Sequence, residues 1–76
     1  MKKKANKKIL KALAKRIRSL RKEQGISQAQ LAYESGVHRD QIGRIERGIQ
    51  STGIDVLERI ATSFDMKLKE LFDFEY

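Results

Sequence analysis

At 76 residues the chain can hold one domain, and without cysteines to cross-link it its stability must come from helix packing, self-association or both. Proline is absent, aromatic residues make up 7%, and one histidine with no cysteine leaves no built metal site and no cofactor in prospect; the composition favours helix over sheet. The net charge of +7 is uneven, with +10 on residues 1–26, −1 on 27–64 and −2 on 65–76, which suits a polyanionic partner met at the basic end, unless the lysines serve solubility alone.

Residues 1–8, MKKKANKK, have almost no apolar content and read as a flexible basic arm. Lysines 2, 3, 4, 7 and 8 (Lys2, Lys3, Lys4, Lys7 and Lys8) either approach phosphates and release counterions or remain solvated. No apolar run follows them as a secretory signal requires, and no stretch nears the ~20 apolar residues of a membrane span. A cytoplasmic protein without membrane association is expected, its folded domain spanning 9–76.

Ile9, Leu13, Ile17 and Leu20 recur at helical steps with charges between them, predicting an amphipathic first helix that stops at Gly25. Ser27 to Gln30 fits a capping box, Ser27 as N-cap and Gln30 reaching back. It opens a short second helix over about 27–35, with Leu31 and Ala32 inward. The turn Ser35-Gly36-Val37 is too tight for bulky residues, and Gly36 takes positive φ there without strain. A third helix over about 38–47 carries Ile42 and Ile45 on one face, and Gly48 closes it. Ser51 and Thr52 offer the next N-cap, with Thr52 and Asp55 box-like. The fourth helix is expected to bury Ile54, Leu57, Ile60, Ala61 and Phe64, and a last short helix from about Lys67 carries Leu68, Leu71 and Phe72. The prediction is an all-α, compact five-helix domain.

The outer face of the third helix carries the functional signal. Arg39, Asp40, Gly43, Arg44 and Arg47 fall at spacings that share one face. A helix presenting long hydrogen-bonding side chains fits the major groove of DNA, where each base pair shows a distinct donor and acceptor pattern. Asp40 also sits in a first helical turn, where a carboxylate is favoured by the helix dipole whatever the partner.

Residues 16–72, with the RIRSLRKEQGISQAQLA run, the Gly36 turn, the IGRIERG segment and the IDVLERIA run, resemble the phage-repressor and Cro family, also called the xenobiotic-response-element type. The resemblance implies a lambda-repressor-like fold, a second helix lying across the phosphate backbone and a third acting as recognition helix. By position, Arg39, Asp40 and Arg44 would read bases, Gln28 would bond a phosphate or a base at the groove edge beside Ser27, and Arg21 with Glu46 would form a buried ion pair. Ser51-Thr52-Gly53 stands where the loop before the fourth helix normally holds proline, and Gln50, Ser51 and Thr52 would face a phosphate. Three positions depart or stay open. His38 stands where a serine or threonine cap is common and either contacts a phosphate or is simply exposed. Gly43 admits either close backbone approach to a base or drift. Tyr33 points to a phosphate or packs on the helix surface, and Arg47 joins the phosphate-contacting set.

The tail DMKLKELFDFEY has more apolar residues than one helix end buries in so small a domain. Phe72, Phe74 and Tyr76 are therefore expected at a two-fold homodimer interface, unless Phe74 and Tyr76 fold back onto their own domain. A dimer would set two recognition helices roughly 34 Å apart on palindromic double-stranded DNA. The expected function is a sequence-specific transcriptional regulator of the repressor, restriction–modification controller or antitoxin kind. No catalytic constellation or small-molecule effector site is evident, so an enzyme is not expected. The competing reading is a protein-interaction module, such as a toxin-neutralising partner, with DNA binding secondary.

Overall fold

The computed structural model describes residues 7–76, which form five helices in chain order: α1 (Lys7–Glu23), α2 (Gln28–Ser35), α3 (Arg39–Glu46), α4 (Ile54–Ser63) and α5 (Leu68–Leu71). Lys2, Lys3 and Lys4 lie outside the described residues. Lys7 and Lys8 lie within helix α1 rather than in an arm.

Each helix supplies one large side chain that is fully buried: Ile17, Leu31, Ile42, Ile60 and Leu71 in turn. Leu13, Leu20, Val37, Ile45, Leu57, Ala61 and Phe64 complete the same cluster. At about 1.5–3 kcal/mol per buried aliphatic or aromatic side chain, this shared centre is what ties five short helices together, since none of α2 to α5 is long enough to persist alone. Helix α3 packs on both α1 and α2, while α4 packs on α2 and α5. The order places α3 at the surface with one face on the core and the opposite face free.

The helix ends show where local patterns and tertiary contacts part company. The Ser27 Oγ accepts the Gln30 N–H at 3.0 Å, but the Gln30 side chain does not reach back. It donates instead to Glu34 Oε2 at 2.8 Å, one helical turn ahead. Neither Ser51 nor Thr52 caps α4; Gly53 occupies the N-cap without a side-chain bond. The Thr52 hydroxyl accepts from Gln41 Nε2 at 3.0 Å, which fastens the α3–α4 loop to α3. Ile54, expected inside, is 68% exposed, because as the first residue of α4 it extends beyond the last core layer. Arg16 donates through Nε to the Leu71 carbonyl and through Nη2 to that of Glu70, at 3.2 and 2.7 Å, anchoring α5 to α1.

Candidate nucleic-acid interface

Helix α3 is held in place from beneath by a carboxylate. Glu46 is 3% exposed, and its Oε2 accepts from Arg21 Nε at 2.7 Å while Oε1 accepts from Arg21 Nη2 at 2.9 Å. The remaining capacity of Oε1 is met by Gln28 Nε2 at 3.0 Å. One buried acid thus joins α1, α2 and α3, with both oxygens satisfied, as burial of a charge requires. Arg21 also donates to the Ile26 carbonyl at 3.0 Å, tying in the loop before α2. The hydrogen bond with Glu46, ahead of its negative charge, holds the Arg21 guanidinium further into its protonated range, against the opposing effect of burial. Arg18 adds a second link from α1 by donating through Nη1 to the Glu46 carbonyl, at the C-terminal end of α3 where a cation is favoured.

On the outer face a groove of about 310 Å³ is lined by Gln28, Arg39, Asp40, Gly43, Arg44 and Arg47. The structure therefore brings together the four candidate base readers with Gln28 and Arg47. Arg39, Asp40 and Arg44 are exposed. Gly43 is not open to solvent as its place on the outer face suggested: it is buried. A Cβ built there would lie 3.4 Å from Arg47 Nη1 and 3.9 Å from Gln28 Oε1, so these two side chains cover it. The Arg44 Nε donates to Gln50 Oε1, which orients the arginine and leaves its terminal nitrogens for other partners.

The other candidates distribute around this groove. His38 is the N-cap of α3, its Nδ1 accepting the Asp40 N–H at 3.2 Å, so the imidazole serves as a side-chain cap. Ser27 is exposed with its hydroxyl engaged at the start of α2, and Ser51 is exposed in the α3–α4 loop. Tyr33 is 84% exposed on α2 and does not pack on the helix surface. In the tail, Phe74 packs against the core cluster, whereas Phe72 and Tyr76 remain exposed. The three rings form a tilted ladder, with centroids 6.1 and 6.2 Å apart.

Sequence reasoning missed Arg18, Gln41 and the Gln50–Arg44 contact. Arg18 shares the α3-facing side of α1 with Arg21, three residues on, and that spacing was the available signal. The roles of Gln41 and Gln50 depend on the path of the α3–α4 loop, which no local pattern encodes. Among the described residues no group of three or more acidic, histidine or cysteine side chains could hold a metal ion, and no helix is long and apolar enough to cross a membrane.

Comparison with known proteins gives a consistent set of likenesses. The helix-turn-helix family model matches residues 17–71. The transcriptional regulator SlrR of Bacillus subtilis is 40% identical over 60 residues, a match that covers 78% of this chain but only 40% of SlrR. The crystal structure of the restriction–modification controller C.AhdI from Aeromonas hydrophila superposes with a TM-score of 0.82 at 35% identity, covering 86% of this chain and 98% of that one. The controller C.Esp1396I, solved as a tetramer with its natural 35-base-pair operator, superposes with a TM-score of 0.78 at 31% identity, covering 86% of each chain.

Proposed function

The chain belongs to the helix-turn-helix family, and from that premise we propose that it is a sequence-specific double-stranded DNA-binding transcriptional regulator, with α3 lying in the major groove. The observation that carries this reading is the outer groove of α3, where Arg39, Asp40, Arg44 and Arg47 line one surface of a helix braced by the buried Glu46. A rigidly seated helix presenting arginine forks is what base readout requires. Arg44 suits guanine O6 and N7, and Asp40 suits a cytosine amine. Its engagement by Gln50 fixes the Arg44 fork before DNA arrives.

Gln28, Ser27, His38, Tyr33, Ser51 and Thr52 surround the reading face and supply backbone contacts that set register without reading sequence, while Gln50 acts through Arg44. Two copies bind a palindromic site, their recognition helices roughly 34 Å apart, and the exposed rings of Phe72 and Tyr76 contribute to the dimer seam. Regulation of the protein's own promoter, as a controller or repressor, is the fitting role. The protein acts by binding, and no catalytic residue is assigned.

The test is binding to duplex DNA from the protein's own upstream region against a scrambled duplex, with Arg44→Ala alongside. The variant should lose the preference for the specific site, at ~1–3 kcal/mol, and keep weak general binding. If the unaltered protein prefers neither duplex and Arg44→Ala changes nothing, readout by α3 is wrong.

A further inference from the structure

Beside the outer face of α3 lies a second groove, of about 360 Å³, between the first turns of α1 and the α3–α4 loop. It is lined by Lys7, Leu10, Lys11, Arg47, Gly48 and Ile49. Its walls are held at a set distance, because Gly48 lies directly on α1: a Cβ there would stand 3.2 Å from Lys11 Cα and 3.4 Å from the Leu10 carbonyl oxygen. Lys7, Lys11 and Arg47 are exposed, and among the described residues none of them pairs with a carboxylate. Ile49, 64% exposed, adds an apolar surface next to these cations.

Lys7 and Lys11 stand at i and i+4 on α1, where like charges repel, and among the described residues α1 holds no acidic side chain before Glu23 to offset them. An anion seated between the two lysines relieves that repulsion. Arg47 lines both this groove and the groove on the outer face of α3, so the two lie side by side. A sugar–phosphate strand offers the matching chemistry, charged oxygens for the cations and an apolar deoxyribose face for Leu10 and Ile49.

We propose that this groove is a preformed seat for a DNA backbone phosphate, with Lys7 and Lys11 on one wall and Arg47 on the other. The proposal rests on the reading of α3 as a DNA-binding helix and extends it to the strand flanking the groove that α3 enters. Lysines carried on helical backbone lose less conformational freedom on binding than lysines on an unstructured arm. The seat therefore contributes affinity for any duplex and no discrimination between sequences.

The experiment measures affinity of the full chain for upstream-region DNA and for a scrambled duplex across a salt series. The variants are Lys7→Gln with Lys11→Gln, and Lys67→Gln with Lys69→Gln, which removes the same charge from α5 and its N-cap. The first pair should lower the slope of log affinity against log salt by about 0.9, the value for one phosphate contact. It should weaken both duplexes by the same factor and leave their ratio intact. The second pair should leave the slope unchanged. Circular dichroism checks helix content, and Lys11→Gln alone, with a smaller slope change of the same sign expected, serves if the pair loses helix.

An unchanged slope in the first pair overturns the seat, as does an equal change in the second, which would mark a general charge effect. A changed ratio between duplexes overturns it too, since that belongs to a base contact. If the unaltered protein shows no preference and Arg44→Ala is silent, the DNA reading falls instead. A discriminating protein whose Lys7/Lys11 variant keeps its slope loses the seat alone.

Discussion

Arg21 of α1 and Glu46 of α3 are joined by two hydrogen bonds, Nε to Oε2 at 2.7 Å and Nη2 to Oε1 at 2.9 Å, and the Glu46 side chain is nearly sealed from solvent. Removing one partner strands the other, which costs more than the pair's net contribution to stability. Glu46→Ala leaves the Arg21 guanidinium and the Gln28 amide without their acceptor and should cost about 3 kcal/mol, the lower end for a buried pair because Arg21 keeps some exposure. Arg21→Lys keeps the charge but cannot fork to both oxygens, and should cost about 1.5 kcal/mol. Chemical denaturation of the three proteins checks the order; a loss below about 1 kcal/mol in Glu46→Ala would remove the pair as the brace of α3. The pKa of Arg21 is raised in the folded state. Its contribution is therefore fully present below the ordinary arginine range and lost only as pH rises through it, so the arginine end of the pair holds throughout the neutral range.

The bond from Arg44 Nε to Gln50 Oε1 predicts a graded loss of DNA recognition. Gln50→Ala frees the guanidinium to sample other rotamers, so each specific contact then requires ordering that the wild type has already completed. Specific binding should fall by ~1 kcal/mol, less than in Arg44→Ala, while binding to a scrambled duplex holds. In an Arg44→Ala background, Gln50→Ala should add almost nothing, since the two act as one unit. Additive losses in that cycle would mean Gln50 contacts DNA on its own account.

The helices were legible in the sequence because their signal is local and repeated. Ile17, Leu31, Ile42, Ile60 and Leu71 each sit on a periodic apolar face, and all five meet in the centre. The Arg21–Glu46 pair came from resemblance rather than pattern, for 25 residues separate the partners. What stayed hidden depends on tertiary placement. Thr52 has the chemistry of an N-cap, yet Gln41 captures its hydroxyl, leaving Gly53 to start α4 and Ile54 outside the core. Gln30 likewise has two acceptable partners, and Glu34 at the next turn takes the amide. Gly43 read as open because its face is open, whereas the Arg47 and Gln28 side chains cover it.

His38 closes the first turn of α3 through Nδ1, at 3.2 Å from the Asp40 nitrogen. That bond is long and exposed, so its contribution sits near the low end for a cap. His38→Ala should destabilise the domain by about 0.5 kcal/mol, and His38→Asn, a stronger cap, should stabilise it by a similar amount. Thermal denaturation resolves both, because 1 kcal/mol shifts the midpoint of a domain this size by roughly 4–8 °C. Equal midpoints for the two variants would show that the cap contributes nothing.

Gly43 and Gly48 predict opposite responses to the same added methyl. At Gly43 the backbone is helical and a Cβ meets Arg47 Nη1 at 3.4 Å, an ordinary contact with the end of a flexible side chain. Gly43→Ala should therefore raise stability by up to ~1 kcal/mol, the helix-propensity difference. The methyl nevertheless projects into the groove of Arg39 and Arg44, so affinity for the specific site should fall while the protein becomes harder to unfold. At Gly48 φ is +72°, and a Cβ would meet Lys11 Cα at 3.2 Å. Left-handed backbone alone costs a non-glycine residue ~1–2 kcal/mol, and the close neighbour is backbone, which yields poorly. Gly48→Ala should lower stability by about 2 kcal/mol and move the α3–α4 loop away from α1. Denaturation midpoints for both variants, with binding measured on each, separate the cases. Loss of stability in Gly43→Ala would mean the Arg47–Gln28 cover cannot give way, and unchanged affinity with raised stability would mean no base approaches that backbone.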